Sequence, residues 1–193
     1  MNIVLRFMIV VLGLLLYSST ACAAVGVAVL KGTIPDSKIA GLVTLTEVTG
    51  GLKVEAEVKN VTPAGKRGFH IHENGSCEDA GKAAGGHFNP DAVQHGLLEK
   101  DGHEMAHAGD LGNIEIGEDG TGKLSGFLPG ASLTEGKYNV MGKAVILHEK
   151  EDDFGQPTGN AGARVGCGII EAKIGEIATD QADTKGAQPS STP

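Results

Sequence analysis

The chain has 193 residues, enough for one domain with a sizeable core and too few for two comfortable ones. Its formal charge of -8 at pH 7 argues against nucleic acid as a partner and repels anions at long range, so an anionic substrate needs a local positive patch to steer it. Aromatics make up only 4% with no Trp, Gly stands at 30, and short Val/Ile/Leu runs are punctuated by Gly, Pro, Asn and Asp, which points to an all-β domain with many turns.

The N-terminus, MNIVLRFMIVVLGLLLYSSTACAAV, carries one Arg at position 6, an apolar run from Phe7 to Tyr17 and then small residues. That is the shape of a secretory signal peptide, and the apolar run is too short for a comfortable transmembrane helix. Ala21-Cys22-Ala23 fits a small-residue cleavage site, so residues 1-23 are predicted to be removed, with no transmembrane span remaining. Cleavage there removes Cys22 and leaves Cys77 and Cys167, an even pair in an oxidising compartment, where a disulfide is the expected state. A lipoprotein anchored through Cys22 is the second reading, weakened by Ser19 standing where such sites usually carry leucine. Export to a periplasm is the expectation, with lipidation or secretion as the alternatives.

From Val25 the pattern is strand-like: VGVAVLKGTI, IAGLVTLTEV, then LKVEAEVKNV, where strict alternation predicts one buried and one solvated face. Gly50-Gly51 marks a hairpin, and Thr62-Pro63-Ala64-Gly65 turns the chain into a strand holding Phe69-His70-Ile71-His72. After His87 a long polar, glycine-containing segment runs to about Gly109, with no helical period, and holds His95, His103, His107 and, just beyond, Asp110. A loop of that length in a compact domain is usually functional or disordered, and the histidines it holds mark this one as functional. Strands resume in LGNIEIGEDGTGKLSGFL, Tyr138 to His148 is predicted to be another, and RVGCGIIEAKI is the last, after a second loop from Glu149 to Ala163. Eight strands and two long loops make an eight-stranded Greek-key β-barrel or sandwich spanning residues 24-175, followed by a polar tail over 176-193 with little to bury.

The chemistry concentrates in Gly68 to Asn89, GFHIHENGSCEDAGKAAGGHFN. In a strand, residues i and i+2 share a face, so His70 and His72 can reach one metal while Ile71 points into the core. Glycines at 81, 85 and 86 let the backbone wrap before His87. All seven histidines lie between positions 70 and 148, which scattered surface histidines would not give. Imidazole suits copper and zinc, near-planar nitrogen sets favouring copper(II) and tetrahedral sets zinc, and Asp110, three residues after His107, can complete a zinc set. With Cys77 and Cys167 joined, no thiolate remains for a metal. His103-Glu104-Met105-Ala106-His107 spells the zinc-protease motif H-E-x-x-H, but that motif works on a helix, and the flanking Gly102 and Gly109 with no apolar helical pattern make it a coincidence.

GFHIHENGSC, GGHFNP, HAGDLGN, LHEKEDD and GNAGARVGCGII resemble, in order and spacing, the signatures of the copper, zinc superoxide dismutases, over roughly Val25 to Ile170. The resemblance implies that His70, His72, His87 and His148 hold copper, that His87, His95, His107 and Asp110 hold zinc, and that His87 bridges the two. It implies that Asp152 ties His70 to His95, that Arg164 attracts and positions superoxide, and that the Cys77–Cys167 disulfide anchors the ligand loop to the last strand. The implied reaction is dismutation of superoxide to oxygen and hydrogen peroxide, with His87 carrying one proton; it also allows a homodimer. Two departures stand out: the segment between His148 and Arg164 is shorter than in the eukaryotic cytosolic enzymes and leaves only Lys150 and Arg164 as obvious cations, and the loop from His95 to His107 is longer and holds the extra His103. A copper or zinc carrier of the same fold is the alternative, weakened because no ligand and no arginine of the pattern has been lost.

Overall fold

The structure is a computed structural model, and it describes residues 23–173. Cys22, nearly all of the predicted signal peptide and the polar tail over 176-193 lie outside the described residues. Nine strands are present among the described residues: β1 (Val25–Gly32), β2 (Ala40–Val48), β3 (Gly51–Lys59), β4 (Gly65–His72), β5 (Asp110–Ile116), β6 (Gly122–Pro129), β7 (Ala144–His148), β8 (Arg164–Ile169) and the two-residue β9 (Glu171–Ala172). All pairings between them are antiparallel, in the order β2-β3-β6-β5-β4-β7-β8-β1-β9, and β1 also pairs with β2. That last pairing closes the first eight strands into a barrel, so no long edge is left open. The steps from β3 to β4 and from β6 to β7 skip neighbours in the sheet, which makes the topology a Greek key.

The alternation read from the sequence is the alternation of the barrel wall. Ala28 and Leu30 of β1, and Leu52, Val54, Ala56 and Val58 of β3, point inward and are buried, while Val29, Lys53 and Glu55 face out. Phe69 and Ile71 of β4 are fully buried in the same core, so the intervening His70 and His72 must lie on the outer face. Outer-face histidines would ordinarily be wet. Here the loops over 73–109 and 149–163 cover that face, and every residue from Arg67 to His72 is buried.

Three local predictions are corrected. A one-turn helix, α1 (Leu98–Asp101), sits inside the first loop, held by N–H bonds from Lys100 and Asp101 to the Leu97 carbonyl and by the fully buried Leu98. One turn is shorter than a helical period needs to show itself in sequence. The strand expected from Tyr138 to His148 begins only at Ala144, because Gly142 adopts a left-handed φ of 75° and turns its N–H to the Ile170 carbonyl. The last strand is divided: Ile170, fully buried, bonds its N–H to the Lys143 carbonyl instead of continuing the ladder, and this separates β8 from β9.

Between Gly68 and His70 the β4–β5 register shifts. Past the shift, Ile71 N–H bonds the Gly109 carbonyl and the Ile71 carbonyl accepts from Phe88 N–H, so the middle and the far end of the first loop are both stitched to β4. A Cβ on Gly109 would lie 2.1 Å from the Ile71 oxygen, so only glycine permits this approach.

Candidate metal centre

Two donor groups form on the covered outer face of β4 and β7. In the first, His70 and His72 of β4, His148 at the end of β7 and His87 from the loop each offer a ring nitrogen, all within 4.8 Å of one another and all buried. In the second, His87, His95, His107 and Asp110 at the start of β5 converge equally closely. His87 belongs to both. Its backbone reaches this place because it bridges His72 across an isolated antiparallel pairing, after a loop tied down by Asn74 N–H to Ala84 O (2.9 Å) and Gly86 N–H to Glu73 Oε1 (2.9 Å).

Hydrogen bonds fix which nitrogen of each ring is free. His72 donates from Nδ1 to the Gly85 carbonyl (3.0 Å) and His148 from Nδ1 to the Gly162 carbonyl (3.4 Å), so in the neutral rings each Nε2 carries a lone pair. Those two Nε2 atoms are 3.3 Å apart. Two lone pairs facing each other at that distance repel, and a cation between them resolves the repulsion. His70 bonds Asp152 through Nε2 (2.8 Å), while its Nδ1 is buried with no hydrogen-bond partner among the described residues. In the second group, Nδ1 of His87 and of His95 each lie 2.8 Å from an Asp110 oxygen and Nδ1 of His107 lies 3.3 Å away. Asp110 is itself aimed by the backbone N–H groups of Gly96 (3.1 Å) and His107 (2.9 Å).

Burial pushes His72 down to about 2, His148 to about 3 and His87 to about 4, with charge repulsion from neighbouring rings adding to the effect. They are neutral imidazoles at physiological pH, the form that binds metal. His95 goes the other way, to about 9, because hydrogen bonds to Asp110 and Asp152 outweigh its desolvation. Asp110 and Asp152 are held below the usual carboxylate range, their histidine partners overcoming the opposing effect of burial.

Asp152 closes a third cluster with His70 and His95, but its contacts there, 2.8 to 3.0 Å, are hydrogen bonds that lock two rings against each other. Arg164, opposite His148 in the β7–β8 ladder and half-buried, donates from Nη1 to the carbonyls of Gly81 (2.5 Å) and Lys82 (3.2 Å) and from Nη2 to that of Gly85. Cys77 and Cys167 are joined in a disulfide with a Cα separation of 5.7 Å. His103 joins neither group: its Nε2 donates to the Pro129 carbonyl (2.8 Å) and its ring stacks on Tyr138 at 3.8 Å. The H-E-x-x-H segment is not helical, since α1 ends at Asp101.

Three contributors are not visible in the sequence alone. Asn113 brackets the Asp152 backbone, its Oδ1 accepting from Asp152 N–H and its Nδ2 donating to the carbonyl, both at 2.8 Å. Its place three residues after Asp110, in HAGDLGN, is the only signal that points to it. Phe154 and Gln156, in the second loop, touch His95 and have no signal at all.

The copper/zinc superoxide dismutase model matches residues 39–170. The extracellular superoxide dismutase [Cu-Zn] of Drosophila melanogaster is 38% identical over 146 residues, 72% of this chain and 78% of that protein. The chain belongs to the copper/zinc superoxide dismutase family. A bacterial relative, superoxide dismutase [Cu-Zn] 1 of Aquifex aeolicus, is 36% identical over 137 residues, covering 68% of this chain and 79% of its own. The crystal structure of the clock protein EA4 superposes with a TM-score of 0.69 at 34% identity, over 80% of this chain and 98% of that one. Membership makes the chain an oxidoreductase that dismutes superoxide with copper and zinc, and the donor sets fit both metals. Four imidazoles suit copper, and three imidazoles with a carboxylate suit zinc.

Proposed function

We propose that His70, His72, His87 and His148 hold copper, that His87, His95, His107 and Asp110 hold zinc, and that His87 serves both metals. The single observation that carries this is the double membership of His87, with Nδ1 turned to Asp110 and the rest of the ring turned to His70, His72 and His148. Copper, when bound, supplies the chemistry by alternately taking an electron from one superoxide and giving one to a second, so that two superoxide ions and two protons become oxygen and hydrogen peroxide.

The chain's own residues do the rest. Arg164 presents a permanent positive charge beside His148 and draws in a small anion that the net charge of -8 would otherwise repel. Three backbone carbonyls hold its guanidinium in place, so it meets the anion without first being ordered. Electrostatic steering of this kind is a general property of superoxide dismutases as a class. His87 holds one proton at Nε2 during half of the cycle and gives it up in the other half. Asp152 and Asp110 orient rings and keep the same nitrogens pointed inward through both halves.

Extracellular relatives in Drosophila melanogaster and Caenorhabditis elegans support export of this chain, and we place it in a periplasm after removal of residues 1-23. We also infer a homodimer formed through the outer face of β1 and β2. Val29 and Leu42 stand side by side in register there and are 57% and 50% exposed.

The test is superoxide turnover by the exported form, from Ala24 onward, with the disulfide formed and one copper and one zinc bound. A fast copper-dependent rate should drop to that of free copper buffer in His148→Ala and by roughly tenfold in Arg164→Ala. A protein that binds both metals tightly yet turns over no faster than free copper would instead be a carrier.

A further inference from the structure

His95 sits in a stretch without regular secondary structure, where no ladder satisfies its backbone polar groups. The second loop does so. Gln156 Oε1 accepts from His95 N–H and Gln156 Nε2 donates to the His95 carbonyl, both at 2.9 Å, so one side-chain amide brackets the residue as a neighbouring strand would. The same loop also places Asp152 on His95 Nε2 at 2.9 Å and stacks Phe154 against the ring at 19°. Backbone, ring face and far nitrogen are therefore all gripped from residues 152–156. The one atom left free to turn toward Asp110 is Nδ1.

We propose that Gln156 is a positioning residue for His95: its amide fixes the backbone of that ligand across the gap between the two loops, and zinc retention depends on it. Gln156 itself is exposed and outside the core, so the barrel does not need it to fold. Copper should be little affected, because Gln156 shares no hydrogen bond with His70, His72, His87 or His148 among the described residues. The inference rests on the assignment of zinc to the Asp110 group.

The experiment compares the parental holoenzyme with Gln156→Met, which keeps the length of the side chain and removes both hydrogen bonds, and Gln156→Glu, which keeps the acceptor for His95 N–H and loses the donor. Zinc release to a chromophoric chelator and the visible spectrum of cobalt(II) placed at the zinc site are the readouts. Gln156→Met should release zinc roughly tenfold faster and alter the cobalt spectrum, with Gln156→Glu between it and the parent and copper content equal in all three. Variants that release zinc at the parental rate with an unchanged cobalt spectrum overturn the inference and leave the zinc assignment standing. A parental protein that takes up neither zinc nor cobalt overturns the assignment, and the inference with it.

Discussion

A neutral imidazole binds a metal and an imidazolium does not, so the burial of His72, His87 and His148 has a measurable consequence in the metal-free protein. Their folded values, about 2, 4 and 3, lie below the value near 6.5 of an unfolded histidine, so the unfolded state takes up more protons as the pH falls. Their contribution to stability is therefore complete above about pH 6.5 and is lost progressively as the pH falls through the folded values of about 4 for His87, 3 for His148 and 2 for His72. His95 has the opposite sign: its contribution is complete below about pH 6.5 and disappears as the pH rises through about 9. Thermal melts of the metal-free protein should show Tm falling steadily between these acid limits, and a flat profile would contradict the burial argument. Gly159 is a second sensitive position. A Cβ there would lie 1.9 Å from Asp152 Oδ1 and 2.8 Å from His95 Nε2, whereas at Gly142, with nearly the same positive φ, nothing lies within 4 Å. Gly142→Ala should cost only about 1 to 2 kcal/mol of backbone strain. Gly159→Ala should in addition push Asp152 off the two rings and weaken zinc binding by roughly tenfold or more, read by zinc content after dialysis against a chelator.

The disulfide and the arginine are one element of structure. Arg164 and Cys167 lie on β8, and the carbonyls that hold the guanidinium come from Gly81, Lys82 and Gly85, in the loop that Cys77 ties to β8. A bridge spanning 90 residues is worth roughly 4 to 5 kcal/mol in the chain-entropy model. Cys77→Ser should lower the stability by an amount of that order and also free the carbonyl cradle. In a sample still loaded with both metals, kcat/KM should fall toward that of Arg164→Ala; an unchanged value would mean that the loop holds its place without the bridge. Among such elements the sequence is least informative. The hairpin turns at Gly50 and Gly120 are legible because particular residues are needed for the left-handed conformation, with φ of 86° and 74°. The single turn of α1 and the late start of β7 are not, since both follow from contacts made across the barrel, by Leu98 with the core and by Gly142 with Ile170.

The barrel is stable in proportion to the metals that bind only its folded form. At metal concentrations about a thousandfold above the dissociation constant the gain is about 4 kcal/mol, and its removal should lower Tm by roughly ten degrees for a domain of this size. Calorimetry before and after chelation measures this directly. Pairing of two copies through Val29 and Leu42 is likewise a property of the whole molecule: light scattering should give twice the mass of one chain, and Val29→Lys with Leu42→Lys should halve it while leaving the metal content alone. A parental protein that is monomeric at all concentrations would remove that face from consideration. The kind of fold follows from the residues in order, because the period of two in β1, β3 and β4 fixes which side chains face the core, and the proposed donors follow from the order and spacing of motifs that resemble those of the family. Which loop atoms hold those donors is settled only in three dimensions. Gln156 meets His95 across 61 positions and Asn113 meets Asp152 across 39, and an amide bonding a backbone leaves no trace in composition or periodicity, since any residue offers the same N–H and carbonyl.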